Sequence, residues 1–358
     1  MGKSKYNPTI GYLKALGIML MVLCHACSDR MPGLPHFGSF VVMFHMPLFF
    51  IASGYCFKEK YLSAPRKYIY NKVKGIYWPY VKWSLLFLLL HNVCFNMHLY
   101  SDQYGWKEYV SHLYTPTEYF HLAKCVLFKM QGHEQLLGGY WFMNALFFGS
   151  LILWPVIRYV KQPLCGGAIL IVICTVFNKT CWQIPFINIS SQAFAAALLI
   201  YIGYSLAKYR IKPFNYWQIA LSLSITLIGS FVWNMAMNQN SYSNKRFIPY
   251  IITAVLASWS FYSLFDKMKS SQGKFAKILD FIGKNTLTIL TWHFLAFKLV
   301  SLLIICIYDL PIERLAEFPV ITEYSQQGWW IAYFMVAMVV TCGIAYCNKW
   351  IKNNWLKL

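Results

Sequence analysis

Charge is what this sequence has least of: only 12% of its 358 residues are charged, 12 are acidic, and 58% are apolar. A soluble domain of this length cannot hide that much apolar surface beneath so few polar groups. A lipid bilayer is the fitting solvent. Also missing are Pro-, Gly- or Ser-rich linkers, internal repeats and low-complexity tracts. Nothing therefore divides residues 1–358, which read as one integral membrane domain. The 11 cysteines lack metal-ligand spacing and most lie inside apolar segments. No metal site is expected, and they read as small embedded hydrophobes. A disulfide among Cys27, Cys125 and Cys181 stays open, because nothing selects a pair.

What the chain does have is long apolar runs. A spanning helix takes about 20 mostly apolar residues. Ten runs qualify: Thr9–Cys27, Phe37–Phe57, Ile76–Met97, Tyr140–Val160, Leu164–Asn178, Ser190–Tyr209, Phe214–Met237, Phe247–Phe265, Leu287–Tyr308 and Gly328–Trp350. The fifth is short. The expected fold class is all-α, a polytopic transmembrane bundle of about ten helices. A net charge of +20 suits nucleic acid, but the basic residues alternate between loops. With the N-terminus inside, 21 Lys and Arg fall on the inner side and eight on the outer, while nine of the 12 acids fall outside. This is the positive-inside pattern with both termini cytoplasmic. It points to the bilayer as partner and away from nucleic acid. The first run does not read as a cleaved signal, since Lys14 interrupts it and no small-x-small site follows.

Two segments are long enough to form extramembrane structure. The inner loop 58–75 sets Arg66, Lys67, Lys72 and Lys74 among Tyr61, Tyr68 and Tyr70. The outer stretch 98–139 is rich in Tyr, Trp, His and acids, and Thr117–Met130 has the pattern of an amphipathic surface helix. Its Asp102, Tyr104, Trp106 and Glu108, with Trp141 beyond, could meet a sugar ring or simply form an interfacial belt.

Ionisable residues inside apolar helices cost several kcal/mol and are functional suspects by default. Lys82 reads as a lysine snorkelling to water, and His91 as a hydrogen-bonded core histidine. Lys14 and His25 differ, because they share one helix. Eleven residues separate them, roughly 16 Å of axis, and eleven steps of 100° return to within about 20° of the same face. Asp29, four residues after His25, is placed to orient its imidazole. In the second helix Pro47 bends the chain, Ala52, Ser53 and Gly54 permit close helix approach, and packing alone explains His45 poorly.

These residues carry a resemblance. Lys14 to His25, the stretch Phe44-His45-Met46-Pro47-Leu48-Phe49-Phe50 with Ser53-Gly54-Tyr55, Trp78-Pro79-Tyr80, Tyr140-Trp141-Phe142-Met143-Asn144, and Ile282-Gly283-Lys284-Asn285-Thr286 leading to His293 recur in order. Together they resemble the acyltransferase-3 family, especially its sugar O-acetylases similar to fucose 4-O-acetylase. The family pattern places arginine where this chain has Lys14, which keeps the charge without the bidentate fork. It also has arginines three apart after the second helix, for which this chain offers Lys72 and Lys74.

The resemblance implies acetyl-CoA as acyl donor, a saccharide or cell-envelope glycan hydroxyl as acceptor, and a bacterial cytoplasmic membrane as the setting. Coenzyme A phosphates would meet Arg66, Lys67, Lys72 and Lys74, and the pantetheine arm would pass Lys14 toward His25. His25 is the expected general base, with an acetyl-histidine intermediate as the other route. Asp29 would orient it, and His45 would stabilise the oxyanion or relay a proton. Asn144 would bond His45, and Asn144, Trp141 and His293 are the expected substrate contacts. The rival class is a multi-pass transporter or flippase of a small polar or glycan substrate, with Lys14, His45 and Lys298 along its path. The oligomeric state is not legible.

Overall fold

The computed structural model describes residues 6–28, 31–34, 36–106, 110–180, 187–189, 191–233, 246–270 and 273–354. It is helical throughout, its one β feature among the described residues being an isolated bridge between Met31 and Leu34. Each expected span holds helix among its described residues. Six helical segments, Pro8–Ala26, Phe37–Tyr55, Gln135–Tyr159, Phe247–Lys267, Thr286–Tyr308 and Thr322–Asn354, are each long and apolar enough to cross a bilayer. Pro163–Phe177 and Tyr216–Val232 are shorter apolar helices, Ser191–Lys208 is helical, and the third span is broken. The chain is an all-α integral membrane bundle.

Helix α1 (Pro8–Ala26) starts where Asn7 accepts the Thr9 amide at 3.0 Å and Pro8 fills the first turn, which leaves no amide wasted there. It runs through the middle of the bundle. Around it pack the second span, the surface helix Lys274–Lys284, and the helices Phe247–Lys267, Thr286–Tyr308 and Trp330–Asn354.

The second span is not one helix. It divides into α2 (Phe37–Val42) and α3 (His45–Tyr55), and the break lies upstream of Pro47 because the proline ring clashes with the carbonyl four residues back, that of Met43. At the opening the Val41 carbonyl accepts the Phe44 amide at 3.1 Å and also meets the His45 ring, with Nδ1 at 3.0 Å. Small residues then bring backbones together. A Cβ added at Gly54 would lie 1.8 Å from the Ile200 carbonyl oxygen, and one at Gly203 2.0 Å from that of Ile51. At the α1 crossing a Cβ on Gly283 would lie 2.0 Å from the Gly11 carbonyl.

The third span opens with a π-turn at Val73–Tyr77, runs as helix from Trp78 to Leu89, and breaks before His91–Asn96. The wide turn precedes Pro79 and absorbs its missing amide bond. The inner loop is itself helical from Pro65 to Lys72. Outside, the amphipathic segment forms Pro116–Lys124 with a capping box between Thr115 and Glu118, then a π-turn to Lys129. Lys82 is exposed, with its ammonium 4.9 Å from the Trp83 ring. His91 is fully buried, with Nδ1 3.1 Å from Glu134 and Nε2 3.0 Å from the His112 carbonyl. His91 follows the sequence reading.

Candidate active site

One stripe of α1 links two cavities. Gly11, Lys14, Ile18 and Met21, spaced by three and four residues, line a cavity of about 770 Å³. His25 and Ser28 continue the stripe into a second pocket of about 600 Å³. Met21 and His25 are one helical turn apart, about 6 Å of axis. The two cavities thus approach each other end to end along the helix.

The first cavity has a cationic entrance and an apolar interior. Lys58 and Lys284 stand at its wall with Tyr6, and beyond Lys14 the lining is Ile18, Met21, Met46, Phe49 and Phe142. Asp280 holds the Tyr6 hydroxyl and the Lys284 ammonium. Lys14 has no carboxylate within 4 Å among the described residues.

Arg66, Lys67 and Lys74 are exposed and stand outside this wall, which the inner loop reaches through Lys58 and Gly75. Lys72 is closer in. It lies within electrostatic reach of Cys56, a wall residue, and 5.4 Å from the Tyr68 ring. Sequence reading passed over Lys58 and Lys284, although Lys284 sits inside a motif it had singled out.

At the other end the ring nitrogens fix one another's protonation. His293 is fully buried, and its Nδ1 is 2.9 Å from the Leu290 carbonyl and 3.2 Å from that of Ile289. A carbonyl only accepts, so Nδ1 of His293 carries the proton and Nε2 of the neutral ring is an acceptor. His25 Nδ1 lies 3.1 Å from that Nε2 and therefore donates. The remaining His25 nitrogen, Nε2, keeps its lone pair. The two rings stack at 5.3 Å, and Phe294 stacks on His25 at 4.8 Å. His25 thereby has one tautomer and one orientation, with its unprotonated nitrogen at Nε2.

His293 holds the Nδ1 side of His25; Asp29, expected to orient that ring, lies outside the described residues, as do Glu108 and Cys181. His45 is buried and tied to Val41. The same proton accounting makes its Nε2 an acceptor when neutral, which suits a proton relay better than an oxyanion donor. Asn144 does not bond His45. Its amide donates to the Met130 and Lys129 carbonyls at 3.3 and 3.4 Å, because Met130 turns left-handed there and ends the π-turn. Trp141 packs against the core outside both cavity walls; Trp106 reaches the outer pocket instead. Lys298 is buried and donates to the Glu317 carbonyl at 2.5 Å. Cys125 is a free thiol, so it forms no bridge with Cys27.

The family model of an acyltransferase domain, that of acyltransferase-3, matches residues 7–348. The chain belongs to that family. The match takes in the whole of α1, both cavities and the His25–His293 pair, so the acyltransferase-3 assignment covers the candidate site as well as the bundle. No curated protein and no solved structure matches.

Proposed function

We propose that this acyltransferase-3 protein moves a short acyl group, acetyl in the first instance, from cytoplasmic acyl-CoA to a hydroxyl of a saccharide or cell-envelope glycan at the outer face of a bacterial cytoplasmic membrane. The observation that carries the reading is the α1 stripe, with a cation in one cavity and a tautomer-fixed histidine in the other. Coenzyme A is polyanionic with a long thin arm. Its phosphates suit the entrance formed by Lys58, Lys284 and the neighbouring basic helix, and its pantetheine arm suits a narrow apolar interior passing Lys14. The roughly 16 Å from Lys14 to His25 is of the order of that arm.

In the step proposed, His25 Nε2 takes the proton of the acceptor hydroxyl as its oxygen attacks the thioester carbonyl carbon. The tetrahedral intermediate collapses with cleavage of the C–S bond. The coenzyme A thiolate leaves and recovers the proton from the His25 imidazolium, directly or through His45, which balances the reaction. The fucose 4-O-acetylase-like branch is the model for the acceptor. Transport loses one of its supports, because Lys298 serves a backbone carbonyl.

The test is acyl transfer and coenzyme A release by purified protein in nanodiscs, given labelled acetyl-CoA and a glycan panel. His25→Ala is expected to lower kcat by about 10²–10⁴ while acetyl-CoA still binds. A wild type that neither binds nor consumes any acyl-CoA would overturn the reading in favour of transport.

A further inference from the structure

The outer pocket has the chemistry of a sugar-ring site, and we propose that it is the acceptor site. In it the Trp106 and Phe318 rings carry the apolar C–H face of one saccharide ring, and Ser28, Thr322 and Gln326 engage its hydroxyls. The assignment rests on the acyl-transfer reading above and adds the residues that would select the acceptor.

Trp106 is 42% exposed, yet it is not a loose interfacial aromatic. Its main-chain amide donates to Gln135 Oε1 at 3.0 Å, and the Gln135 amide in turn donates to the Leu99 and Ala316 carbonyls at 3.1 and 3.4 Å. One buried glutamine therefore ties the outer stretch to the segment before the last span. Glycine at position 138 leaves room for the indole, since a Cβ there would lie 2.7 Å from the ring. Trp106 meets Phe318 edge to face at 4.8 Å. Phe318 packs on Phe294 at 4.6 Å, and Phe294 on His25. The aromatic corner thus leads to the base.

The lining also carries polar groups. Ser28 Oγ and Thr322 Oγ1 are 3.1 Å apart; one proton joins them, which leaves a second O–H to donate and lone pairs to accept. Gln326 is held by the Cys27 carbonyl at 3.1 Å, and Ser325 by that of Ala26 at 2.7 Å. These bonds use the open carbonyls at the end of α1 to fix the rim beside His25. Aromatic rings together with hydroxyl and amide groups in one pocket match a pyranose, which offers a C–H face and a hydroxyl edge. A volume of about 600 Å³ is that of a small-ligand pocket. It takes one or two terminal rings of a glycan.

The experiment compares wild type, Trp106→Phe, Trp106→Ala and Thr322→Val in nanodiscs. Binding of methyl glycosides of common hexoses and deoxyhexoses is followed by saturation-transfer NMR, with acetyl-CoA binding measured on the same samples. Losing the indole is expected to weaken glycoside binding about tenfold, Phe less than Ala, with acetyl-CoA binding unchanged. Thr322→Val keeps the shape, removes one hydroxyl, and should weaken binding while the protein stays folded. If wild type binds acetyl-CoA but no glycoside, or if Trp106→Ala and Thr322→Val both bind as wild type, the acceptor-site assignment is overturned and acyl transfer stands. If wild type binds neither ligand, both readings fall together.

Discussion

Because both carbonyls at Ile289 and Leu290 claim Nδ1 of His293, that ring can only accept from His25 while neutral. His293→Gln retains an acceptor oxygen, whereas His293→Leu strands the His25 N–H, an omission worth about 1–3 kcal/mol in a buried setting. The expected order of kcat is therefore wild type, then Gln, then Leu, with the acetyl-CoA KM nearly constant. Equal losses in both variants would leave His293 with packing alone. A second residue-scale prediction concerns Lys72 on the basic helix. Burial pushes its ammonium down to about 8, with the Cys56 thiol pulling weakly the other way. Since the folded value lies below the unfolded one, holding the charge costs stability below about pH 8, and stability rises above it as the proton leaves first from the folded protein. Donor affinity should run oppositely, weakening as pH climbs through about 8 and a phosphate partner is lost. Titrating acetyl-CoA against wild type and Lys72→Met across that range checks it, because the Met variant should show a flatter dependence there. Glu118 offers a separate handle, since its bonds to the Thr115 amide, His112 and the Thr115 hydroxyl hold its carboxyl at about 2.

The helices approach through glycines. Gly54→Ala sets a methyl group against the Ile200 backbone, which cannot swing aside as a side chain would. Overpacking of this kind typically costs about 1–3 kcal/mol, and a lowered Tm in detergent with a loosened α3 is the expected result. Gly75→Ala, where a Cβ meets nothing within 4 Å, is the matched control. Hydropathy made the helices legible, because each span must be apolar along its length, and the small residues at Ala52, Ser53 and Gly54 marked the close contact in advance. It did not show the break in the second span. Pro47 announces a bend, but the position of the opening depends on the carbonyl four residues upstream and on a histidine ready to take up Val41. The stripe from Lys14 to His25 was legible for a simple reason: both residues sit on one helix, where spacing alone fixes the face. His293 was visible as an expensive residue and a motif, but its pairing with His25 depends on two helices distant in sequence. The outer pocket was the least legible part. Trp106, Phe318 and Thr322 share no helix and no periodicity, and the Gln135 brace, the Ser28–Thr322 contact and the Ser325 and Gln326 bonds to the end of α1 bring them together.

On the scale of the whole molecule the two cavities make a claim about sidedness. In proteoliposomes of uniform orientation, acetyl-CoA presented at the Lys58 and Lys284 face should support transfer to a glycan presented only at the Trp106 face, with coenzyme A released on the donor's side. Donor supplied at the Trp106 face should give none. Product formed with both substrates confined to one compartment would contradict the layout. The same bundle also carries an order of construction. His25 lies on α1, near the beginning of the chain, whereas the ring that sets its tautomer and the rim of its pocket belong to Thr286–Tyr308 and the segment before Trp330. A ribosome therefore places His25 in the membrane long before its partners are made. Until those late segments arrive, His25 has neither a fixed tautomer nor a walled pocket beside it, so the candidate site comes into being only as the last helices dock.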